Sequence, residues 1–383
     1  MIDMKRSFRA LVTLIGVALL AACQAGPKVN RAPPAPEQPS ATALPTDQMR
    51  HRIALLVPVS GTNAAVGQAL ANGASMALLD TNATDLRITT YDTGADPAQA
   101  ATRAIADGNT LILGPLLGDD VAAVAKIASP AKVPIISFSN DLSVAGHDVF
   151  IMGSLPSDSI ARTVSYAHSQ GAKRFAALLP DGEYGARAAD AFATSVKAVG
   201  GTVIATLPYA RGNTSIISAA QRLKAKGGFD AVLIADGGRF AILAAPQLRA
   251  VGTLSPRLLG TELWNGDTAT ATSPALRGSW YSALSNARFT RFTESYKSRF
   301  GIAPYRIATL GYDAVLLTLR VSKDWKPGSL FPTERLYDPQ GFLGVDGPLR
   351  FTSTGVVERT FDVIELRAGG TSVVSPAPTG FGK

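Results

Sequence analysis

From residue 52 onward the chain alternates short, nearly unbroken apolar runs with stretches whose apolar residues recur at helical spacing. Arg52 to Val59 (RIALLVPV) reads as a strand buried on both faces, because such a run leaves no polar side for solvent. Ala64 to Leu79 follows with Val66, Leu70, Gly73 and Ala77 on one side, the mark of a helix. Leu86–Tyr91 is a second strand. Asp96-Pro97 then supplies a cap and a first-turn proline for a helix reaching Ala106. Thr110–Leu113, a helix over Asp119–Ala128 and a strand over Val133–Phe138 complete the first series. The units recur every roughly 20 to 30 residues, the size of a strand–helix unit, so a parallel sheet covered on both faces is expected.

A second series begins near Val149. Strands are expected at Val149–Met152, Phe175–Leu179, Thr202–Leu207, Ala231–Ala235 and Arg257–Gly260. Helices fit at Ser157–Ser169, Gly185–Val199, Ser215–Lys226 and Phe240–Val251, and again at Arg288–Phe300 and Ala308–Val321. Gly341 to Glu365 reads as hairpin-like strands with Val345-Asp346-Gly347 at a turn. This is more strand than one sheet carries comfortably at this length, so the fold class is α/β with two doubly wound lobes and a cleft between them.

The two ends read differently. Lys5, Arg6 and Arg9 precede an apolar run from Ala10 to Leu20, too short to span a bilayer, and then Leu20-Ala21-Ala22-Cys23. This pattern resembles a bacterial lipoprotein signal. The resemblance implies a signal peptide over 1–22, starting at Met1 or Met4, and lipidation of Cys23. Gln24 rather than Asp after the cysteine points, by the same sorting pattern, to the outer membrane. Residues 23–50 carry Pro27, Pro33, Pro34, Pro36, Pro39 and Pro45 without apolar periodicity and read as an extended linker. Residues 371–383 are Gly, Pro and Ser-rich and are expected to be a flexible tail.

Composition narrows the chemistry. Cys23 is the one cysteine, so the body uses neither disulfides nor thiolates. The chain is 46% hydrophobic and 17% charged, which are globular values, and it has no second membrane-length run. Loss of the signal lowers the net charge from +8 to about +6, with Lys and Arg scattered rather than in blocks, so nucleic acid is not an expected partner. Asp92-Thr93-Gly94 is the aspartic-protease triplet, but it occurs once and ends a parallel strand, where a turn is the simpler reading. Ser129-Pro130-Ala131-Lys132 places a proline in the helix that a serine acyl-enzyme needs there. His51, His147 and His168 have no metal-ligand spacing, and no phosphate-cradling glycine motif occurs. No catalytic residue, metal or cofactor is therefore assigned, and the body is read as a non-enzyme.

Binding fits better, because doubly wound sheets hold ligands at the carboxyl ends of their strands. Ser60, Gly61 and Asn63 lie at one such end, and Ser137, Ser139 and Asn140 at another. Tyr184, Asp236 and Trp264 end strands of the second lobe. For the Ser and Asn residues helix capping is an equal alternative, and Gly61, Gly114, Gly237 and Gly238 fit turn geometry at least as well.

Several blocks fall in the order seen in one family. Ile53 to Gly61 (IALLVPVSG), Tyr91 to Pro97 (YDTGADP), Leu113-Gly114-Pro115-Leu116, Pro134-Ile135-Ile136-Ser137, Asp181 to Gly185 (DGEYG), Leu310 to Val315 (LGYDAV) and Gly341 to Gly347 with Arg350-Phe351 together resemble the type I periplasmic binding proteins of the leucine-binding kind. The resemblance covers residues 51 to 368. It implies two parallel-sheet lobes joined by a three-strand hinge, with 51–152 and 281–324 in lobe 1 and 153–280 and 325–370 in lobe 2. Gly114-Pro115-Leu116-Leu117 and the linker further resemble the penicillin-binding protein activator branch. The chain also departs from amino-acid receptors. Gly114 to Gly118 is apolar where they carry hydroxyls, Asp141 stands near an expected Thr, and only Asp236 is left to meet an ammonium group. Two roles follow as expectations. The first is a lipid-anchored scaffold on the periplasmic side of the envelope that activates a peptidoglycan synthase. The second is the receptor of an ABC importer, docking on its permease with a small polar ligand such as an amino acid.

Overall fold

The structure is a computed structural model that describes residues 50–249 and 255–381. Cys23, the signal stretch and the linker up to Met49 lie outside the described residues. Lobe 1 begins with β1 (His51–Val57), α1 (Ala64–Thr81), β2 (Leu86–Asp92), α2 (Pro97–Ala106), β3 (Leu111–Leu113), α3 (Gly118–Ala128), β4 (Ile135–Ser137) and β5 (Val149–Ile151). Its five strands are all parallel, in the order β2-β1-β3-β4-β5. The expected cap is present: Asp96 accepts a hydrogen bond from Gln99 N at 2.9 Å, with Pro97 in the first turn of α2.

Lobe 2 follows with α4 (Pro156–Ser169), β6 (Arg174–Pro180), α5 (Glu183–Ala198), β7 (Thr202–Tyr209), α6 (Ser215–Lys226), β8 (Ala231–Ile234), α7 (Gly238–Leu248), β9 (Arg257–Leu259), α8 (Thr268–Thr272) and β10 (Trp280–Ala283). The chain then returns to lobe 1 for α9 (Phe289–Phe300), α10 (Ala308–Ser322) and an antiparallel sheet of β11 (Phe342–Gly344), β12 (Gly347–Phe351) and β13 (Val357–Arg359). It ends in lobe 2 with β14 (Asp362–Arg367) and β15 (Gly370–Ser375). The lobe 2 sheet has the order β15-β14-β10-β9-β8-β6-β7, in which β14 and β15 run antiparallel to their neighbours.

The five-stranded and seven-stranded sheets are each covered on both faces. Leu55, Leu70, Phe138, Phe150, Leu310 and Val315 share one core of lobe 1, while Leu56, Ala100, Ile112 and Val121 share the other. Helices α1 and α10 cross so closely that a Cβ on Gly73 would lie 2.1 Å from the Ala308 carbonyl oxygen, and one on Gly311 would lie 2.2 Å from that of Leu70. Neither position has room for a side chain.

Three expectations about segment placement are corrected. Residues 325–359 pack on lobe 1, not lobe 2, because Trp325, Phe331, Phe342, Leu349, Phe351 and Val357 bury against the same core as Phe150. Phe351 meets the Phe150 ring edge-on at 5.4 Å. Residues 281–283 belong to β10 in lobe 2, paired with β9 and β14. The expected flexible tail contains β15, paired along β14, and the chain after it is held by a bond from Ala377 N to Asp362 Oδ1 at 2.7 Å.

The chain crosses between lobes after Ile151, after Ala283 and after Arg359. Arg359 Nη2 donates to the Met152 carbonyl at 2.9 Å, linking the first and third crossings. Ser159 donates to the Ser282 carbonyl at 2.7 Å, and Thr163 to the Ser282 hydroxyl at 2.8 Å, so α4 is fastened to β10 just before the second. Among the described residues no helix is long and apolar enough to cross a membrane.

Candidate functional site

The carboxyl ends of both parallel sheets face the interlobe cleft, and the loops that follow them line a cavity of about 510 Å³. Leu116 and Leu117 (after β3), Phe138 and Asn140 (after β4), and Gly153 contribute from the first lobe. Glu262 and Asn265 (after β9) and Leu284 contribute from the second, and Ile307, Leu310 and Phe361 close it near the hinge. The walls are mostly apolar, and the volume suits a small organic molecule.

Glu262 is the unusual group. It sits on a single turn after β9, started by Thr261, whose side chain accepts a bond from Leu263 N. Its Oε1 lies 3.3 Å from the Tyr184 hydroxyl, while its Oε2 is buried without a hydrogen-bond partner. Burial raises its pKa above the usual carboxylate value. Tyr184 bridges to it: its hydroxyl also lies 3.2 Å from Thr261 Oγ1, and burial followed by the Glu262 charge holds its pKa above the ordinary tyrosine value.

On the opposite wall Arg306 forms a fixed unit with Asp346. Its Nε and Nη2 reach Asp346 Oδ1 at 3.1 and 2.8 Å, Nη2 also donates to the Ser285 carbonyl at 2.9 Å, and Thr309 donates to Asp346 Oδ2 at 2.6 Å. This charge pair closes on itself and leaves the cavity little net charge beyond Glu262.

The residues singled out from the sequence divide sharply. Asn140 is exposed and lines the cavity, and Tyr184 orders Glu262. The others do not gather there. Ser137 is fully buried, donates to the Pro115 carbonyl at 2.9 Å and accepts from Ser139 N at 3.0 Å. Ser139 accepts from Asp141 N at 3.1 Å, so both hydroxyls shape the turn after β4. Asp141 packs against Gly118, the first residue of α3, where a Cβ would meet its Oδ2 at 2.6 Å. Bonds from Ser143 N and Oγ hold its carboxyl below the usual range, with Arg187 of lobe 2 a smaller contribution. A ligand carboxylate directed at the start of α3 would thus meet an ionised one already in place.

Ser60, Gly61 and Asn63 lie beside β2 rather than in the cavity. Asp92 accepts from the backbone N–H groups of Val59, Ser60 and Gly94 at 2.9, 3.3 and 2.8 Å. The Ser60 hydroxyl is the largest of the bonds that lower the Asp92 pKa. The Asp-Thr-Gly triplet is therefore a turn clamp, and Gly61 supplies its left-handed φ of 73°. Asn63 precedes α1 but makes no side-chain cap bond.

Two second-lobe candidates are corrected. Trp264 is 1% exposed, packs on Gly260, and donates its indole N–H to the Asp236 carbonyl at 2.9 Å, so it is core. Asp236 is buried and already matched. Arg211 grips it with Nε and Nη2 at 2.8 and 3.1 Å, Tyr209 donates at 2.6 Å, and Gly237 N at 2.8 Å. The second-lobe acid that lines the cavity is Glu262, two residues before Trp264. The strand-end rule pointed to this loop, and the aromatic in it drew the assignment.

Residues 51–370 match the sequence model of the periplasmic binding protein family, and the chain belongs to that family. An uncharacterized protein of Rickettsia prowazekii is 30% identical over 141 residues, which is 36% of this chain and 38% of that protein. The penicillin-binding protein activator LpoA of Pectobacterium parmentieri is 30% identical over 118 residues, 30% of this chain and 17% of the activator. The matched segments thus span well under half the length of these relatives. The crystal structure of a putative branched-chain amino acid ABC transporter from Rhodospirillum rubrum superposes with a TM-score of 0.76 at 20% identity, over 85% of this chain and all of that one. At such identity the likeness is one of fold.

Proposed function

We propose that this protein is a non-catalytic periplasmic module, lipid-anchored through Cys23, that binds and stimulates a peptidoglycan synthase of the penicillin-binding protein class. The observation that carries this reading is the use of two strand-end hydroxyls by the protein itself. Ser137 donates to the Pro115 carbonyl and Ser60 bonds Asp92. Neither hydroxyl is left to donate to a ligand carboxylate, and Asp141 opposes one. The partial similarity to LpoA activators supports the same direction. The test is reconstitution: purified protein is added to a bifunctional synthase from the same cell, and glycan polymerisation and cross-linking rates are followed. A several-fold rise is expected. Unchanged rates together with no co-purifying synthase would remove the proposal.

One observation favours a second reading, a receptor for a small ligand. The mostly apolar cavity, with the Glu262 carboxyl in its wall, fits a molecule with a donor or cationic group on an apolar body better than it fits a zwitterion. Thermal-shift screening of aliphatic and aromatic amines, amides and amino acids tests it. A ligand at 100 times its dissociation constant adds about 2.7 kcal/mol, and Glu262→Gln should abolish that gain.

A further inference from the structure

The end of lobe 2 remote from the cleft carries a second cavity, of about 570 Å³, with chemistry of the opposite sign. It lies where β8, β9 and β10 begin, beside the end of α4, and Arg249, Arg257 and Arg277 all line it. Among the described residues no carboxylate pairs with any of the three. Asp230 also lines the cavity, but its carboxylate accepts from Arg174 Nη2 at 2.8 Å and from Lys173 N and Arg174 N at 3.0 and 2.9 Å. Those bonds, led by that of Arg174, hold its pKa down to about 2. It is thus an acid already matched outside the cluster.

Two of the three guanidinium groups are held by neutral atoms. Arg249 Nη2 donates to the Arg277 carbonyl at 2.5 Å, and Arg257 Nη1 donates to the Gly278 carbonyl next to it. Arg257 also lies over the Trp280 ring, 4.0 Å from its centroid. These contacts orient the forks without cancelling charge. Burial, and then the charge of Arg257, lower the pKa of Arg249 below the usual arginine value, as expected for cations crowded without a counter-ion. Lys224, whose ammonium group reaches the Arg249 carbonyl at 3.1 Å, adds positive charge close by.

We propose that this cavity is a phosphoryl-anion site in which Arg249, Arg257 and Arg277 converge on one phosphate group. Guanidinium forks match phosphate oxygens in geometry and charge. An anion would relieve the repulsion that the carbonyl contacts leave in place. The phosphate can belong to a soluble phosphomonoester or to a lipid headgroup. The site is independent of the cleft and of the role proposed for it.

The test uses the mature chain expressed without residues 1–23, so that neither acyl chains nor the signal segment bring it to vesicles. Inorganic phosphate and glycerol 3-phosphate are titrated calorimetrically at low and high salt, and flotation is compared on phosphatidylglycerol and phosphatidylcholine vesicles. Saturable binding that weakens with salt is expected. Arg249→Gln with Arg257→Gln should lower affinity about tenfold or more, because a hydrogen bond to a charged group contributes about one such factor. Arg103→Gln, on the exposed side of α2, should change nothing. Binding of the soluble anions assigns a phosphomonoester, and binding of anionic vesicles alone assigns a headgroup. If the double variant does not fold, Arg277→Gln decides in its place, since that side chain is exposed. The proposal is overturned if neither probe binds saturably, or if the folded arginine variant binds as the parent does.

Discussion

Asp313 on α10 offers a direct test of the packing beneath the cleft. The residue is 2% exposed; its Oδ1 accepts from Val345 N at 2.8 Å, while its Oδ2 has no partner. Burial, and secondarily the charge of Asp346, push its carboxyl from 3.8 up to about 7. Below pH 4 the group is protonated in both folded and unfolded chains and makes no difference. Between pH 4 and 7 the unfolded chain ionises while the folded one keeps its proton, so each pH unit removes about 1.36 kcal/mol of stability. Above pH 7 both states are ionised and the loss levels off at about 4 kcal/mol, an upper figure because buried groups relax. Asp313→Asn keeps the oxygen that Val345 N uses and cannot ionise. Its stability relative to the parent should therefore rise with pH across this window, by about 2 to 4 kcal/mol between pH 4 and 8. Urea denaturation of both proteins at several pH values measures this, and terms independent of pH cancel in the difference. A difference that stays flat would refute burial as the cause of the shift.

Three further outcomes are expected. Gly73→Ala and Gly311→Ala should each destabilise by about 1 to 3 kcal/mol despite alanine's better helix propensity, because the added Cβ meets backbone of the facing helix; equal or higher denaturation midpoints would contradict the close crossing. Asp236→Ala should cost about 1 to 3 kcal/mol by stranding the Tyr209 hydroxyl, with partial rescue by Asn, as read by urea denaturation. Cys23→Ala should abolish incorporation of labelled palmitate and leave uncleaved precursor; labelling equal to the parent would end the anchor reading.

The sheets were legible because parallel strands buried on both faces must be apolar throughout. Ile53 to Val57 and Ala231 to Ile234 are buried without a break, and each appears in the sequence as an uninterrupted apolar run. The Asp96-Pro97 helix start was legible for an equally local reason. What the sequence concealed depends on contacts between distant residues. Trp-Tyr-Ser-Ala at 280–283 has no apolar run, yet all four residues are buried because strands flank them on both sides. Gly370 to Ser375 has the composition of a tail and becomes a strand because β14 offers an open edge. Ser137 and Glu262 show the same limit at the cleft: whether a polar atom is free depends on which carbonyl or amide lies opposite, and spacing does not record that.

The hinge limits what any occupant of the cleft can do. Arg359 is 6% exposed, holds the Met152 carbonyl through one nitrogen, and has its Nε and Nη1 without partners. Close by, Asp158 has a carboxyl raised to about 7, by burial first, and an unpartnered Oδ2. Two groups of opposite potential charge thus sit at the first and third crossings with bonding capacity unused. A rearrangement that brought them together would gain a buried charge-assisted bond, and one that separated them would strand both in a low-dielectric site. Any such rearrangement would carry a free-energy difference to which these two groups contribute. A partner or ligand shifts it only by the difference in its affinity for the two arrangements, not by how tightly it binds. A molecule between Leu117 and Glu262 touches both lobes and can change it.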